Sequence, residues 1–279
     1  MQYLVITGVS TGIGYAATAE LLRRGYHVFG SVRRQESADR LQEEFGSSFT
    51  PLLFDVIDTE AINTAVQQVG DDIGDNSLTA LVNNAGVLIP GPLKYMPLQD
   101  LRAQFETNLF GLLDVTQQFL PLLGARQDAP SPPGRIVNIS SVSGKVAYPF
   151  LGGYAATKHG LEALSDALRR ELMMYGVDVI LVEPGTTRTP ISDKYKAYIE
   201  KYRGTEYSGM LAKMDEQVAK REVGGLPLEK VIDAICKAVQ SEHPKTRYAV
   251  PRKWLTGWMI PRLLPDRWLD RFTANRLGK

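Results

Sequence analysis

The residues Thr7-Gly8-Val9-Ser10-Thr11-Gly12-Ile13-Gly14 stand between a short apolar run, Tyr3 to Ile6, and a stretch where Ala16, Ala17, Ala19, Leu21 and Leu22 follow a helical pattern. An uninterrupted apolar run of this length reads as a parallel strand buried on both faces. A strand that passes through a glycine-rich turn straight into a helix is the opening of a βα unit, and this context gives a glycine motif its meaning. Gly8 permits the tight turn, Gly12 lets a pyrophosphate approach the backbone, and Gly14 lets the helix pack on the strand. The helix N-terminus offers free N–H groups and the positive end of its dipole to phosphate. Ser10, Thr11 and Ile13 complete that cradle. Without a ligand the same residues are a plain glycine-rich turn; the strand–helix context argues against that reading. The spacing is G-x-x-x-G-x-G rather than the more common G-x-G-x-x-G.

The alternation continues along the chain. Strands are expected at Gln2–Thr7, His27–Val32, Phe49–Phe54, Leu78–Asn83, Arg135–Ser140 and Val177–Glu183, with 247–250 as a short seventh. Helices are expected near Gly14–Arg24, Ser37–Phe45, Thr59–Val69, Leu98–Leu120, Gly153–Tyr175 and Leu228–Ser241. This order predicts an α/β fold: a doubly wound, Rossmann-type parallel sheet of about seven strands with helices on both faces, in a single domain. A hydrophobic content of 44% over 279 residues supplies a large core, and a net charge of +1 gives no cause to expect a nucleic-acid partner. The single cysteine, Cys236, lies in an apolar helical pattern and reads as a small buried hydrophobe. With no disulfide framework and no zinc spacing, a reducing, cytoplasmic compartment is expected. No run is long and apolar enough for a transmembrane helix, and a strand at the very start leads us to expect no signal peptide. The three histidines, His27, His159 and His243, are too scattered to suggest a metal site.

Tyr154 and Lys158 are four residues apart in one helical run and so share a helix face. A phenol ionises near pH 10. An ammonium beside it stabilises the phenolate, and this lowered pKa would suit acid–base work on an alcohol or carbonyl. Tyr-x-x-x-Lys also occurs by chance on solvated helix faces, so the pair gains weight only with its companions. Asn83-Asn84-Ala85-Gly86 closes the fourth strand, at the end of the sheet where ligands bind; a plain turn is the alternative.

The glycine spacing, Asn83-Asn84-Ala85-Gly86 and Tyr154/Lys158, in this order, resemble the short-chain dehydrogenase/reductase family in its compact single-domain branch, over roughly residues 2 to 250. The resemblance implies an oxidoreductase that uses Asn108, Ser141, Tyr154 and Lys158. Ser141, thirteen residues before Tyr154, takes the place of the substrate-holding serine in preference to Ser140. Lys158 also binds the nicotinamide ribose, and Asn108 bends its helix and holds a water leading to the lysine. In an NAD-preferring member an acidic residue follows the second strand; here Val32 stands there, followed by Arg33 and Arg34. A guanidinium suits a 2′-phosphate, so NADP(H) is the expected cofactor, the alternative being two arginines on a solvated loop. Asp55 and Val56 are expected to flank the adenine, with a helix cap as the alternative for Asp55. Asn84, Ala85 and Gly86 are expected near the adenosine ribose. Pro184, Gly185, Thr187 and Thr189 are expected to hold the nicotinamide.

The division implied is a catalytic domain over 1–250, with a lid at 190–225, and a C-terminal extension over 251–279. Ile191, Tyr195, Tyr198 and Tyr202 give the lid an apolar-aromatic face. With Val146, Tyr148, Phe150 and Leu151 it suits a bulky apolar carbonyl or alcohol of steroid or retinoid type; equally, these aromatics pack the lid on the body. By resemblance, the helices Leu98–Leu120 and Gly153–Tyr175 form the interface of a homodimer or homotetramer. The extension holds all three tryptophans and seven basic residues against Asp266 and Asp270. Packing over the pocket mouth or a neighbouring subunit is the reading we take, with a membrane interface as the alternative. An NADP-binding redox sensor without turnover is the alternative to an enzyme; the intact Ser141/Tyr154/Lys158 set argues against it.

Overall fold

The computed structural model describes residues 1–126, 132–187, 197–223 and 226–277. Its centre is a sheet of β1 (Gln2–Ile6), β2 (Tyr26–Val32), β3 (Phe49–Leu53), β4 (Leu78–Asn83), β5 (Arg135–Ile139), β6 (Asp178–Pro184) and β7 (Arg247–Val250). All pairings are parallel, in the order β3-β2-β1-β4-β5-β6-β7. From β1 the chain winds outward to β3, then returns to β4 and winds the other way. The crevice between the carboxyl ends of β1 and β4 is therefore the switch point at which such sheets take ligands.

The central strands are buried on both faces, and their residues alternate between two cores, while β3 and β7 at the edges are only partly covered. Leu4, Ile6 and Val28 join the core beneath α1 (Gly12–Arg23), α2 (Gln35–Phe45) and α8 (Leu228–Gln240). Val5, Phe29, Leu81 and Ile136 join the opposite core, beneath α3 (Thr59–Ile73) and α5 (Gly111–Phe119). This is why the strands read as continuous apolar runs rather than as alternating ones. Cys236 is fully buried in the first core, and burial pushes its thiol up to about 11, so it packs as an inert hydrophobe.

The expected elements are all present, with boundaries within a few residues. The helix foreseen over Leu98–Leu120 is α4 (Leu98–Phe105), which passes through a π-turn at Glu106–Phe110 into α5. The foreseen Gly153–Tyr175 is α6 (Gly152–Glu171) closed by a 3₁₀ turn, Leu172–Tyr175. Unforeseen are α7 (Ser208–Val223), α9 (Ile260–Leu263) and α10 (Asp266–Leu277).

A buried polar chain crosses the sheet towards the site. Asn83 Nδ2 donates to Thr116 Oγ1 and to Asn138 Oδ1, each at 2.9 Å, and Asn138 Nδ2 donates to Ser165 Oγ at 2.9 Å. It locks α5, β4, β5 and α6 in one register, which the residues at the strand ends inherit. A Cβ added to Gly14 would collide with the Gly8 carbonyl and the Asn84 amide. The Gly14→Ala variant is therefore expected to lose about 1–3 kcal/mol of stability. Thermal unfolding should report a lower Tm, and titration a weakened dinucleotide affinity.

Candidate active site

The glycine turn is fixed from three sides. Gly8 and Gly12 have φ of +71° and +65°, where a side chain would be strained. Gly8 N donates to Ser31 Oγ at 3.0 Å. Thr7 Oγ1 accepts from the backbone N–H groups of Asn84 (3.0 Å) and Ala85 (2.9 Å), while Asn84 Nδ2 donates to the carbonyls of Thr7 (2.9 Å) and Gly8 (3.0 Å). Asn84 thus staples the exits of β1 and β4 together. From α2, Arg40 Nη2 donates to the Ser10 carbonyl at 3.0 Å. Thr7, Ser31 and Arg40 went unremarked in the sequence: hydroxyls inside apolar strands and a basic residue on an amphipathic helix carry no signal of their own. Thr11 N-caps α1 without a side-chain cap bond, which leaves the first-turn N–H groups facing the crevice with Ile13 beside them.

At the end of β2, Val32 is buried while Arg33 and Arg34 are exposed. Arg33 Nη1 lies 3.5 Å from Asp55 Oδ2, so the two side chains bracket one corner of the crevice. The cap of α3 is Asp58, whose carboxylate accepts from Ala61 N at 3.0 Å, and this leaves Asp55 outside the capping role. The Val56 side chain is buried in the core under α3, so at this corner Asp55 is the polar group on offer.

Ser141 leaves β5 and opens a short 3₁₀ turn, its Oγ accepting from Ser143 N at 3.1 Å. Its hydroxyl also faces the Tyr154 phenol and favours the ionised form of that group. Ser140 is turned away: a Cβ on Gly144 would lie 2.9 Å from Ser140 Oγ and 3.1 Å from Glu162 Cγ, on the far side of the turn. Lys158 is 5% exposed, and its ammonium donates to the Ile139 carbonyl at 2.8 Å, 5.8 Å from the Tyr154 ring centroid. The expected fall in the phenol pKa is not what this arrangement produces. Burial raises it, and the Ser141 hydroxyl facing the phenol opposes that rise. Lys158 is itself drawn down to about 8 by burial, against the pull of Glu162, and directs its charge at a carbonyl rather than at the phenol.

Asn108 lies in the π-turn, fully buried. Its Oδ1 accepts from Val87 N (2.8 Å), and its Nδ2 donates to Val87 O (2.8 Å) and Thr157 Oγ1 (3.1 Å). The side chain therefore clamps the exit of β4 to α6. Gly86 sits in the same cluster: a Cβ there would stand 3.1 Å from Asn108 Oδ1 and 4.0 Å from Lys158 Nζ. Beyond β6, Gly185 N donates to Val250 O at 2.9 Å, and Thr187 bridges to Leu226. Thr189, like Ile191 and Tyr195 of the expected lid, lies outside the described residues.

A second cluster backs the first and was not foreseen. Glu162, one turn beyond Lys158, takes Lys145 Nζ at 2.7 Å and Arg247 Nε at 3.0 Å on Oε2. Arg247 also reaches Asp166 (2.9 Å) and Glu183 Oε1 (3.4 Å). Lys145 belongs to the Ser141 loop, Glu162 to the Tyr154/Lys158 helix, and Glu183 immediately precedes Pro184. The network thus joins the three segments that carry the site. The four-residue spacing Tyr154, Lys158, Glu162 was the available signal, and only tertiary structure brings the other members to it. Glu183, 1% exposed, is pushed up to about 7 by burial and by the charge of Glu162, so it holds a proton that the exposed group would release. A carboxyl whose folded pKa is raised stabilises the fold at low pH, and that contribution is lost as pH rises through about 7. Glu183→Gln keeps the shape and removes the titration. Its Tm is expected to match the wild type near pH 4, below the ordinary carboxyl value, and to exceed it at pH 8.5; parallel Tm–pH curves would contradict this.

The pattern that describes the short chain dehydrogenase family matches residues 2–199. Over 279 aligned residues the chain is 42% identical to the NADPH-dependent 3-dehydrocapnine reductase of Ornithobacterium rhinotracheale, covering 100% of this chain and 98% of that protein. Retinol dehydrogenase 16 of Mus musculus is 34% identical over 296 aligned residues, covering 99% of this chain and 87% of that protein. The crystal structure of a short-chain dehydrogenase from Streptomyces avermitilis matches with a TM-score of 0.73 at 29% identity, over 98% of this chain and 94% of that one. With its seven-stranded parallel sheet, glycine turn and Ser141, Tyr154 and Lys158 side by side, the chain belongs to the short-chain dehydrogenase/reductase family.

Proposed function

We propose that the protein is an NADPH-dependent carbonyl reductase that interconverts a ketone and a secondary alcohol on a bulky apolar substrate. The observation that carries this reading is the grouping of Ser141 with the Tyr154 phenol and the buried Lys158 ammonium, 5.8 Å from the Tyr154 ring centroid, next to Gly86 at the exit of β4. The residues fit a dinucleotide. Gly8 and Gly12 hold conformations that leave the backbone bare, and Gly86 keeps open the space up to Lys158 Nζ. Gly8 and Ser10–Gly14 would take the pyrophosphate, Arg33 and Arg34 the 2′-phosphate, and Asp55 the adenine amino group. Asn84–Gly86 and Lys158 would take the riboses, and Pro184, Gly185, Thr187 and Thr189 the carboxamide. The preference for NADPH rests on the guanidinium of Arg33 after β2 and accords with the NADPH dependence of the 42% identical relative.

Bound NADPH supplies the hydride. The Ser141 hydroxyl holds the substrate oxygen beside Tyr154, and the phenol delivers the proton to it as negative charge develops there. The raised phenol pKa keeps Tyr154 protonated at neutral pH, the form that reduction requires. Lys158, its ammonium anchored on the Ile139 carbonyl, would take the nicotinamide ribose, and Asn108 holds β4 and α6 at the spacing that puts Gly86 beside the lysine. A 3-dehydro compound carries a ketone, so the similarity to a reductase of one favours ketone reduction, while a retinol dehydrogenase acts at an alcohol.

The segment after β6 is read as a lid of the catalytic domain. Ile199, Tyr202 and Leu211 pack with Phe150 in a separate buried cluster, and Phe150 meets Tyr207 edge-on at 5.8 Å. The sequence left open whether these aromatics pack the lid or line the pocket; Phe150 and Tyr202 pack it, while Tyr148 and Tyr198 remain half-buried. A steroid or retinoid type of substrate stays the proposal. Leu98, Phe110 and Met173, exposed on and next to α4, α5 and α6, support the homo-oligomeric interface. We read the location as cytoplasmic, in keeping with a single cysteine, Cys236, that is buried and unpaired.

Following NADPH absorbance with ketones of steroid, retinoid, aliphatic and quinone type should reveal turnover; NADPH binding with none on the whole panel would refute the reading. Tyr154→Phe is expected to lower kcat by about 10²–10⁴-fold and leave NADPH affinity close to normal. Lys158→Met should lose turnover and cofactor affinity together. In a separate comparison, Arg33→Ala is expected to weaken NADPH about tenfold or more, as for a lost charge-assisted hydrogen bond, with NADH little changed. Equal losses for both cofactors would remove the 2′-phosphate role.

A further inference from the structure

The segment after β7 separates charge and apolar surface from the rest of the molecule. Between Pro251 and Lys279 fall seven basic and two acidic residues, a local charge of +5 in a chain whose total is +1. The expectation from sequence is packing on the domain or on a neighbouring subunit; contact with its own domain accounts for only part of its apolar content. Trp258 is buried, with Arg262 over its ring at 4.8 Å, and Leu277 is buried at the far end. Trp254, Leu255, Met259, Ile260, Leu263 and Trp268 all remain exposed, Leu263 at 75%. Arg252, Lys253, Arg262, Arg267 and Arg271 are exposed among them. A helix stabilised only by its own domain buries such side chains and turns its charges outward; here both kinds face out together.

Two occupants could cover this face, and charge decides between them. A second copy docking through residues 252–268, with four basic residues against Asp266, would set +3 against +3 across an isologous interface. An anionic lipid surface meets the same charge with attraction and takes exposed Trp and Leu side chains into the boundary between headgroups and acyl chains. Crossing the bilayer is not at issue, since no helix among the described residues is long and apolar enough. The location is informative as well. Gly185 N is bonded to Val250 O, Pro251 follows directly, and α10 packs against α7 of the lid. The exposed face therefore adjoins the entrance to the crevice.

We propose that residues 252–268 dock the protein on an anionic membrane surface, with the mouth of the site next to the bilayer so that an apolar carbonyl substrate enters from the lipid. The entry step rests on the substrate class proposed above; the docking does not. Because the three tryptophans of the chain all lie in this segment, intrinsic tryptophan emission reports on it alone. With vesicles of phosphatidylglycerol and phosphatidylcholine, the full-length protein is expected to co-sediment, shift its emission to the blue and be quenched by brominated acyl chains. With phosphatidylcholine alone, or at high salt, these effects should fade. Arg262→Glu and Arg267→Glu should each weaken vesicle binding at least about fivefold, and Leu255→Ser with Leu263→Ser should abolish the blue shift, with NADPH affinity unchanged in every variant. No emission change with anionic vesicles, or equal binding to neutral ones, would overturn the proposal. So would a lipid-independent blue shift that grows with protein concentration, the mark of a second copy on this face. Turnover of a water-soluble ketone, measured alongside, tests the reductase reading separately.

Discussion

Keeping an ammonium out of water is the condition around which this site is built. An isolated buried charge is strongly unfavourable and persists only with hydrogen bonds and counter-charge around it. Lys158 has both: the Ile139 carbonyl at 2.8 Å, and Glu162 one helical turn away. The carboxylate that helps the lysine must be held in turn, and Lys145 and Arg247 hold it. Each of these partners comes from a different segment, so meeting the electrostatic demand of one residue also fixes the Ser141 loop, α6 and the exit of β6 relative to one another. The buried amide and hydroxyl chain from Asn83 to Ser165 does the same for the strands beneath.

What was legible in the sequence is what depends on short-range pattern. Parallel strands buried on both faces must be apolar throughout, and Leu4 and Ile6 on one side with Val5 on the other show why that pattern was unmistakable. The glycine turn was equally plain, because Gly8 and Gly12 adopt backbone angles that other residues avoid. Less legible were residues whose role exists only across space. Thr7, Ser31 and Arg40 shape the turn through partners 30 or more residues away or on another strand. Arg247 reads as one basic residue in a short edge strand until β7 pairs with β6 and brings it to Glu162. The phenol pKa was misjudged for a related reason: helix spacing shows that Tyr154 and Lys158 share a face, yet the lysine's hydrogen bond and the burial of both groups are properties of the fold. Helix α7 has only weak amphipathic periodicity, and the prolines at 261 and 265 obscured the helices of the tail.

The two ends of the chain divide the work. The first 187 residues assemble the dinucleotide crevice and the acid–base cluster from strand ends. Beyond β6, Ile199, Tyr202 and Leu211 pack on Phe150, and beyond β7 Trp258 is buried while apolar and basic side chains around it stay exposed. An aromatic-packed lid beside such a surface suits a substrate that partitions out of water, which connects the proposed chemistry to the proposed docking surface.

Transfer of deuterium from the cofactor tests the central claim most directly. The protein is supplied with NADPH deuterated at C4 in each of its two diastereomeric forms, together with a ketone that it turns over, and the alcohol is examined by mass spectrometry. One form is expected to place deuterium on the carbinol carbon and the other none, because a single crevice fixes one face of the ring towards the oxygen held by Ser141 and Tyr154. Alcohol free of deuterium from both forms, or labelled equally from both, would contradict it.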